Sequence, residues 1–186
     1  MKMRGIECPK HLTDEEVNKW TKKLFGKVES GLGKLPHLFR LMANSEDVFE
    51  GFLALNGALA NTEIGPKLVE LVILRTSELN ACEYCVRAHT QMALDAGSLT
   101  KEESLNARKG IGYDEKSQIV LDFVTDVVDR KGSVLCSIQK MRDNGFSDKN
   151  MVEILGAVTV GTMTNYRSHM GCTEPDFPEV PPVFPR

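Results

Sequence analysis

The sequence predicts an all-α domain of several packed helices, and three observations carry that reading. Apolar residues recur at helical spacing in segment after segment; in "DEKSQIVLDFVTDVVDRKG", Ile119, Phe123, Val127 and Val128 fall on one face. Residues that start and stop helices bound these segments, among them Pro36, Ser45, Pro66 and Gly97. No segment alternates apolar and polar residues as a half-buried strand does. Only "GAVTVG" competes, where Gly156 and Gly161 weaken the helical signal.

Taken in order, "LTDEEVNKWTKKLFG" opens with Thr13, has Glu16 three residues on as in a capping box, and closes at Gly26. The Gly- and Pro-rich "GLGKLPH" connects it to a helix that Pro36 opens and that runs to about Asn44. Ser45 caps the next, "SEDVFEGFLALNGALAN". Pro66 begins "PKLVELVILRTSEL", where Leu68, Leu71, Val72 and Ile73 predict a mostly buried helix. Asn80 and Ala81 break the pattern, and "CEYCVRAHTQMALDAG" resumes it until Gly97. "TKEESLNARKG", the amphipathic stretch already quoted, "SVLCSIQKMRDNG" and "SDKNMVEILGAVTVGTMTNYRSHMG" complete the set, with Ser147 or Asp148 capping the last. Residues 173–186 form a Pro-rich tail that holds five of the eight prolines and cannot be helical. It is expected to wrap the surface or a neighbouring subunit.

The 186 residues suit one domain spanning 1–186, and 41% hydrophobic content is enough for a core. A formal net charge of −3 gives no electrostatic argument for nucleic acid or an anionic membrane. "MKMRGIECPKHLTDEE" has no apolar run behind its basic residues, so it does not read as a secretory signal, and no apolar stretch reaches membrane-span length. A soluble cytoplasmic protein is expected. The five cysteines, Cys8, Cys82, Cys85, Cys136 and Cys172, are odd in number, which argues against a disulfide framework. Cys136, on an apolar helical face, reads as core, as do Met92 and Met141.

The chemistry concentrates in "VELVILRTSELNACEYCVRAH". On one helix, residues 82, 85 and 89 lie within about 60° of each other, so Cys82, Cys85 and His89 share a face. Cys82 falls in the first turn, where unpaired N–H groups and the helix dipole stabilise a thiolate. Cys85 and His89, four apart, are helix neighbours. This supplies what a dithiol redox centre needs: an activated sulfur, a second sulfur able to close a disulfide, and a base. Glu70, in an otherwise largely apolar helix, needs a buried partner, and His89 or a bridging water fits if the two helices pack. Two other readings compete. The cysteines can be small buried hydrophobes. Or Cys82, Cys85, His89 and Glu70 can bind zinc, although no second Cys/His pair with ligand spacing exists. A redox centre needs no bound cofactor and no metal.

Glu, eleven residues, then Cys-x-x-Cys-x-x-x-His resembles the signature of the alkylhydroperoxidase D-like branch of the carboxymuconolactone decarboxylase family. Residues 33–97 carry the resemblance. It implies an all-helical fold, a homo-oligomer, and reduction of a hydroperoxide by the cysteine pair with an external dithiol as reductant. In that scheme Cys85 is peroxidatic, Cys82 is resolving, and His89 with Glu70 forms the proton relay. The position before the second cysteine, a histidine in alkylhydroperoxidase D, is Tyr84 here and reads as a packing aromatic. The branch that decarboxylates a muconolactone lacks the cysteine pair. A lactone enzyme and a non-enzymatic metal-binding or redox-sensing oligomer are the alternatives. The helices "FEGFLALNGALA" and "EILGAVTVGTM" are apolar around much of their circumference, and one is expected at a subunit interface. His37 reads as exposed, and Asn165 and His169, four apart, lie on the last helix.

Overall fold

The computed structural model describes residues 2–3 and 6–183. Nine helices are built from the described residues: α1 (Lys19–Leu32), α2 (His37–Met42), α3 (Glu46–Leu59), α4 (Gly65–Leu79), α5 (Glu83–Asp95), α6 (Lys101–Lys109), α7 (Glu115–Asp129), α8 (Leu135–Asp143) and α9 (Asp148–Met170). Among the described residues the only strand pairing is β1 (Lys2–Met3) against β2 (Ile6–Glu7), two residues each and antiparallel. The domain is all-α. "GAVTVG" lies inside α9, where buried Ala157, Val158 and Val160 on one side override its two glycines.

Helix α4 is the hub, with α5, α6, α7 and α9 packed around it. Its Leu71, Val72, Ile73 and Leu74 are all buried, as the apolar run predicts. Val72 and Ile73 belong to a core with Val120 of α7, Ile154 of α9 and Phe49 of α3, and Leu71 and Leu74 to a second, smaller one with Leu121 of α7 and Leu99. No helix among the described residues is long and apolar enough to cross a membrane.

Three expectations are corrected. The first helix does not open at Thr13 or close at Gly26. Thr13 and Glu16 do bond to each other, but in a single turn. The helix is capped by Asn18, whose Oδ1 accepts from the N–H groups of Trp20 and Thr21, and it ends at Gly33 in the left-handed region. Buried Leu24, Phe25 and Val28 on both sides of Gly26 carry the helix through it. Cys136 is exposed rather than core. The nine-residue α8 turns Ser137 and Met141 inward, next to the buried Val134 before it, and leaves Leu135 and Cys136 outside. Finally, Cys8 and Cys172 form a disulfide across 164 residues. The odd count arises because Cys136 is the unpaired extra. The termini meet because the segment after Cys8 lies along the end of α9, with His11 bonded to the Gly171 carbonyl at 3.0 Å and the Leu12 N–H to the Arg40 carbonyl at 3.1 Å.

The tail lies on the chain's own surface. Phe177 is buried, Lys34 Nζ sits 3.5 Å from its ring centre, and Arg108 Nη2 donates to the Pro181 carbonyl at 2.8 Å. Arg108 is itself held by a buried ion pair with Glu78, 2.8 Å away.

Candidate active site

The turn between α4 and α5 places the site. Asn80 ends α4 and Ala81 takes a left-handed φ of 52°, a conformation that a side chain with Cβ occupies at a cost of about 1 kcal/mol. The chain reverses there, and the Cys82 N–H returns to the Ser77 carbonyl at 2.9 Å. In one unbroken helix Glu70 would lie about 18 Å from Cys82. Instead α5 folds back along α4, and His89 Nδ1 comes within 2.9 Å of Glu70 Oε2. Both side chains are largely buried. A carboxylate only accepts, so the imidazole donates from Nδ1, and Nε2 is left as the nitrogen able to take a proton.

Cys82 stands at the N-cap of α5 rather than in its first turn, and its sulfur accepts the Cys85 N–H at 3.4 Å. It thus replaces the serine or aspartate oxygen usual at that position. Both cysteines are buried, with 1% and 2% of their surface exposed. Hydrogen bonding from the Cys85 side chain, then from its backbone N–H and from Ser168, with the charge of His169 added, outweighs burial and lowers the Cys82 thiol to about 6. Cys85 moves well above the ordinary thiol range, chiefly through its bond to Cys82 and its burial, although Asn165 and Thr164 pull it the other way. Two sulfurs this close cannot both ionise. The single negative charge resides on Cys82.

Beside the pair is a cavity of about 540 Å³. Its walls are mainly apolar, with Leu38, Phe39, Phe52, Leu59, Val69, Ile73, Met92 and Phe177 among them. Cys85, His89 and Glu70 open into it; Cys82 does not line it. Tyr84 packs its ring edge-on to Phe177, and its hydroxyl accepts the Leu38 N–H at 3.3 Å. Burial and the carboxylate of Asp176 keep that phenol protonated. The structure therefore gathers Glu70, Cys82, Cys85 and His89 in one place. Among the described residues no group of three or more His, Cys, Asp and Glu is arranged to hold a metal ion.

Sequence reasoning singled out Asn165 and His169 on the last helix but not Thr164 and Ser168 beside them. Asn165 is fully buried; its Nδ2 donates to Ser77 Oγ at 3.0 Å and its Oδ1 accepts from Asn80 Nδ2 at 2.9 Å. Thr164 and Ser168 share its burial. The usable signal was a polar i, i+4 set in "TNYRSH" within a helix whose preceding turns are apolar. Phe177 and Asp176 of the tail gave no such signal.

Residues 46–108, about a third of the chain, match the carboxymuconolactone decarboxylase family model. That segment contains all four site residues. Over that segment the chain is similar to the carboxymuconolactone decarboxylase family. A search of the curated proteins gave no match. Among solved structures, the chain is similar to an uncharacterized peroxidase-related protein from Ralstonia eutropha JMP134 with an alkylhydroperoxidase core. The two share 20% identity over 90% of each chain, with a TM-score of 0.78. A second uncharacterized peroxidase-related protein, from Silicibacter sp. TM1040, aligns over 94% of this chain and 96% of its own at 19% identity and a TM-score of 0.77. The debrominase Bmp8 aligns at 16% identity and a TM-score of 0.73, covering 89% of this chain and 90% of its own. These likenesses establish the alkylhydroperoxidase D-like fold.

Proposed function

We propose that this protein is a dithiol peroxidase that reduces an organic hydroperoxide at Cys85 and is recycled by an external dithiol. The observation that carries the reading is the opening of one sulfur of a bonded cysteine pair, together with a Glu70-oriented His89, into one apolar cavity.

His89 Nε2 takes the Cys85 proton. The Cys85 sulfur attacks one peroxide oxygen; the S–O bond forms, the O–O bond breaks, and the alkoxide leaves as alcohol with a proton from His89. The Cys82 thiolate then attacks the sulfenic acid; the S–S bond forms, the S–O bond breaks, and the departing hydroxide takes a proton from solvent and leaves as water. Two thiols are oxidised and one peroxide is reduced. A dithiol reductant reverses the disulfide by exchange.

Turnover with a panel of hydroperoxides and dithiol donors tests this. Consumption of peroxide without formation of a Cys82–Cys85 disulfide would reject it. A redox sensor would close the disulfide but show no sustained turnover.

A second electrophile fits the same chemistry. Bmp8 is a debrominase that also forms a complex with 2,3,4-tribromopyrrole in a cysteine-to-alanine variant. A dithiol taking bromine from an aryl bromide would yield the arene, hydrogen bromide and the same disulfide. Bromopyrroles therefore belong in the substrate panel.

For assembly, the outer face of α9 presents Val152, Leu155, Tyr166 and Met170, all exposed. Beside it α3 exposes Val48 and Leu55. A homo-oligomer that buries this stripe is the proposed state. A monomer by light scattering at micromolar concentration counts against it.

A further inference from the structure

The cavity beside Cys85 has a buried end and an open one. Ile73, Tyr84 and Cys85 on its wall are buried, whereas Asn56, Ala60 and Asp95 are exposed. A hydroperoxide therefore enters past the second set and carries its O–O group inward to the sulfur, and the far end of its body faces the wall toward the mouth. Helices α1, α3 and α5 each bring their last turn to this cavity, through Leu32, Leu59 and Asp95. Helix C-termini carry partial negative charge, which disfavours an anion.

The groups that could receive an anion are already engaged. Among the described residues no lysine or arginine lines the cavity. Lys34, whose Nζ lies 3.5 Å from the ring centre of Phe177, donates to the Asp176 carbonyl and stands 3.6 Å from the Asp176 carboxylate. At the start of α2 the N–H of His37 is bonded to Asp176 Oδ2 and that of Leu38 to the Tyr84 hydroxyl. Helix α4 presents Pro66, which has no N–H. Of the two acidic residues on the wall, Glu70 is bonded to His89, and Asp95 accepts from Gln91, a neutral donor. A carboxylate placed here would lose water and gain no partner charge, which is costly, whereas an apolar body gains from burial.

We propose that the cavity selects uncharged hydroperoxides with an apolar body and rejects those that carry a carboxylate, with Asp95 at the mouth as a specificity-determining residue. The proposal rests on the peroxidase reading and narrows its substrate class. The reaction is the one already written: the hydroperoxide becomes its alcohol, water is released and the two thiols close to the disulfide, while the rest of the substrate is unchanged. A space of about 540 Å³ encloses most of an aryl-sized body, so a charge at its far end is felt by the wall.

The test compares cumene hydroperoxide, its para-carboxylate and the methyl ester of that acid, which share one reacting group. Closure of the Cys82–Cys85 disulfide in reduced protein gives each rate, and oxidation of free dithiothreitol by the same compounds gives their intrinsic reactivity. After that correction the carboxylate should react about tenfold or more slowly than the ester, the cost of an unpaired charge in an apolar site with a wet mouth. Asp95 is exposed, so its variants keep the fold. Asp95→Lys should raise the carboxylate-to-ester rate ratio about fivefold, because it turns a repelling charge into an attracting one. Equal wild-type rates for carboxylate and ester, or an unmoved ratio in Asp95→Lys, overturns the proposal.

A second readout separates this from the peroxidase reading. If none of the three compounds closes the disulfide, that reading fails, and equilibrium binding of the corresponding alcohols to reduced protein, followed by ligand-observed NMR, still decides. The ester alcohol should bind about tenfold or more tightly than the carboxylate alcohol. Equal affinities, or no binding of the ester alcohol, contradict the selection.

Discussion

The backbone N–H of Cys85 points at the sulfur of Cys82, 3.4 Å away, so one cysteine caps the helix that begins with the other's turn. The two thiols are thereby made unlike. The first should ionise near pH 6, on Cys82, and the second should stay protonated well above the ordinary thiol range. As pH rises through about 6, one thiolate per chain should appear in the ultraviolet, with no second step near neutrality. Cys85→Ser should change the position of that step, because Cys85 supplies the largest lowering contribution, and Cys82→Ser should remove it. Two thiolates that appear together would contradict the asymmetry.

The Glu70–His89 contact spans nineteen residues of sequence, which would separate them by about 28 Å on a continuous helix. His89→Ala should slow the peroxide step by about a hundredfold, the ordinary worth of a positioned base. Glu70→Gln should slow it less, by about tenfold, because the amide oxygen can still accept from Nδ1. Stopped-flow peroxide consumption across pH measures both. A glutamine variant slower than the alanine variant would mean that Glu70 acts directly on substrate.

The Cys8–Cys172 bond should be structural and independent of the redox pair. Replacing both residues with serine should lower stability by about 2 to 4 kcal/mol and leave the Cys82–Cys85 chemistry measurable. Denaturant unfolding with and without dithiothreitol checks this. Loss of dithiol reactivity in a folded double variant would show that the two pairs exchange.

Glu78 and Arg108 make a buried ion pair that also anchors the Pro181 carbonyl. Removing one partner strands a buried charge, so Arg108→Ala or Glu78→Gln should destabilise by about 3 to 5 kcal/mol. Unfolding midpoints measure it, and proteolysis of the tail should accelerate in the Arg108 variant. A change below about 1 kcal/mol would mean that water reaches the pair.

What could be read from the sequence was local. Helical period, the Ser45 and Ser147 caps and the break at Asn80–Ala81 lie in contiguous residues, and they placed Glu70 opposite His89 correctly. Thr13 misled because its bond to Glu16 is real but closes only one turn, whereas Asn18 caps the helix. Cys136 misled because so short a helix leaves the choice of inward face to its tertiary neighbours. The Cys8–Cys172 bond, the Asn165 network and the Phe177 wall all join residues far apart in sequence, and no periodicity reports such contacts. The division of labour between the sulfurs was half legible. The helix start favours a Cys82 thiolate, and His89 lies beside Cys85; only the cavity shows that both hold, with charge on one sulfur and access at the other.

The most direct test of the central claim is peptide mapping of sulfenic acid after one equivalent of tert-butyl hydroperoxide, in Cys82→Ser and Cys85→Ser side by side. The account predicts dimedone adduct on Cys85 in Cys82→Ser, with peroxide consumed once and no disulfide formed, and a far slower reaction at Cys82 in Cys85→Ser. Adduct on Cys82 in Cys85→Ser at the wild-type rate would contradict it.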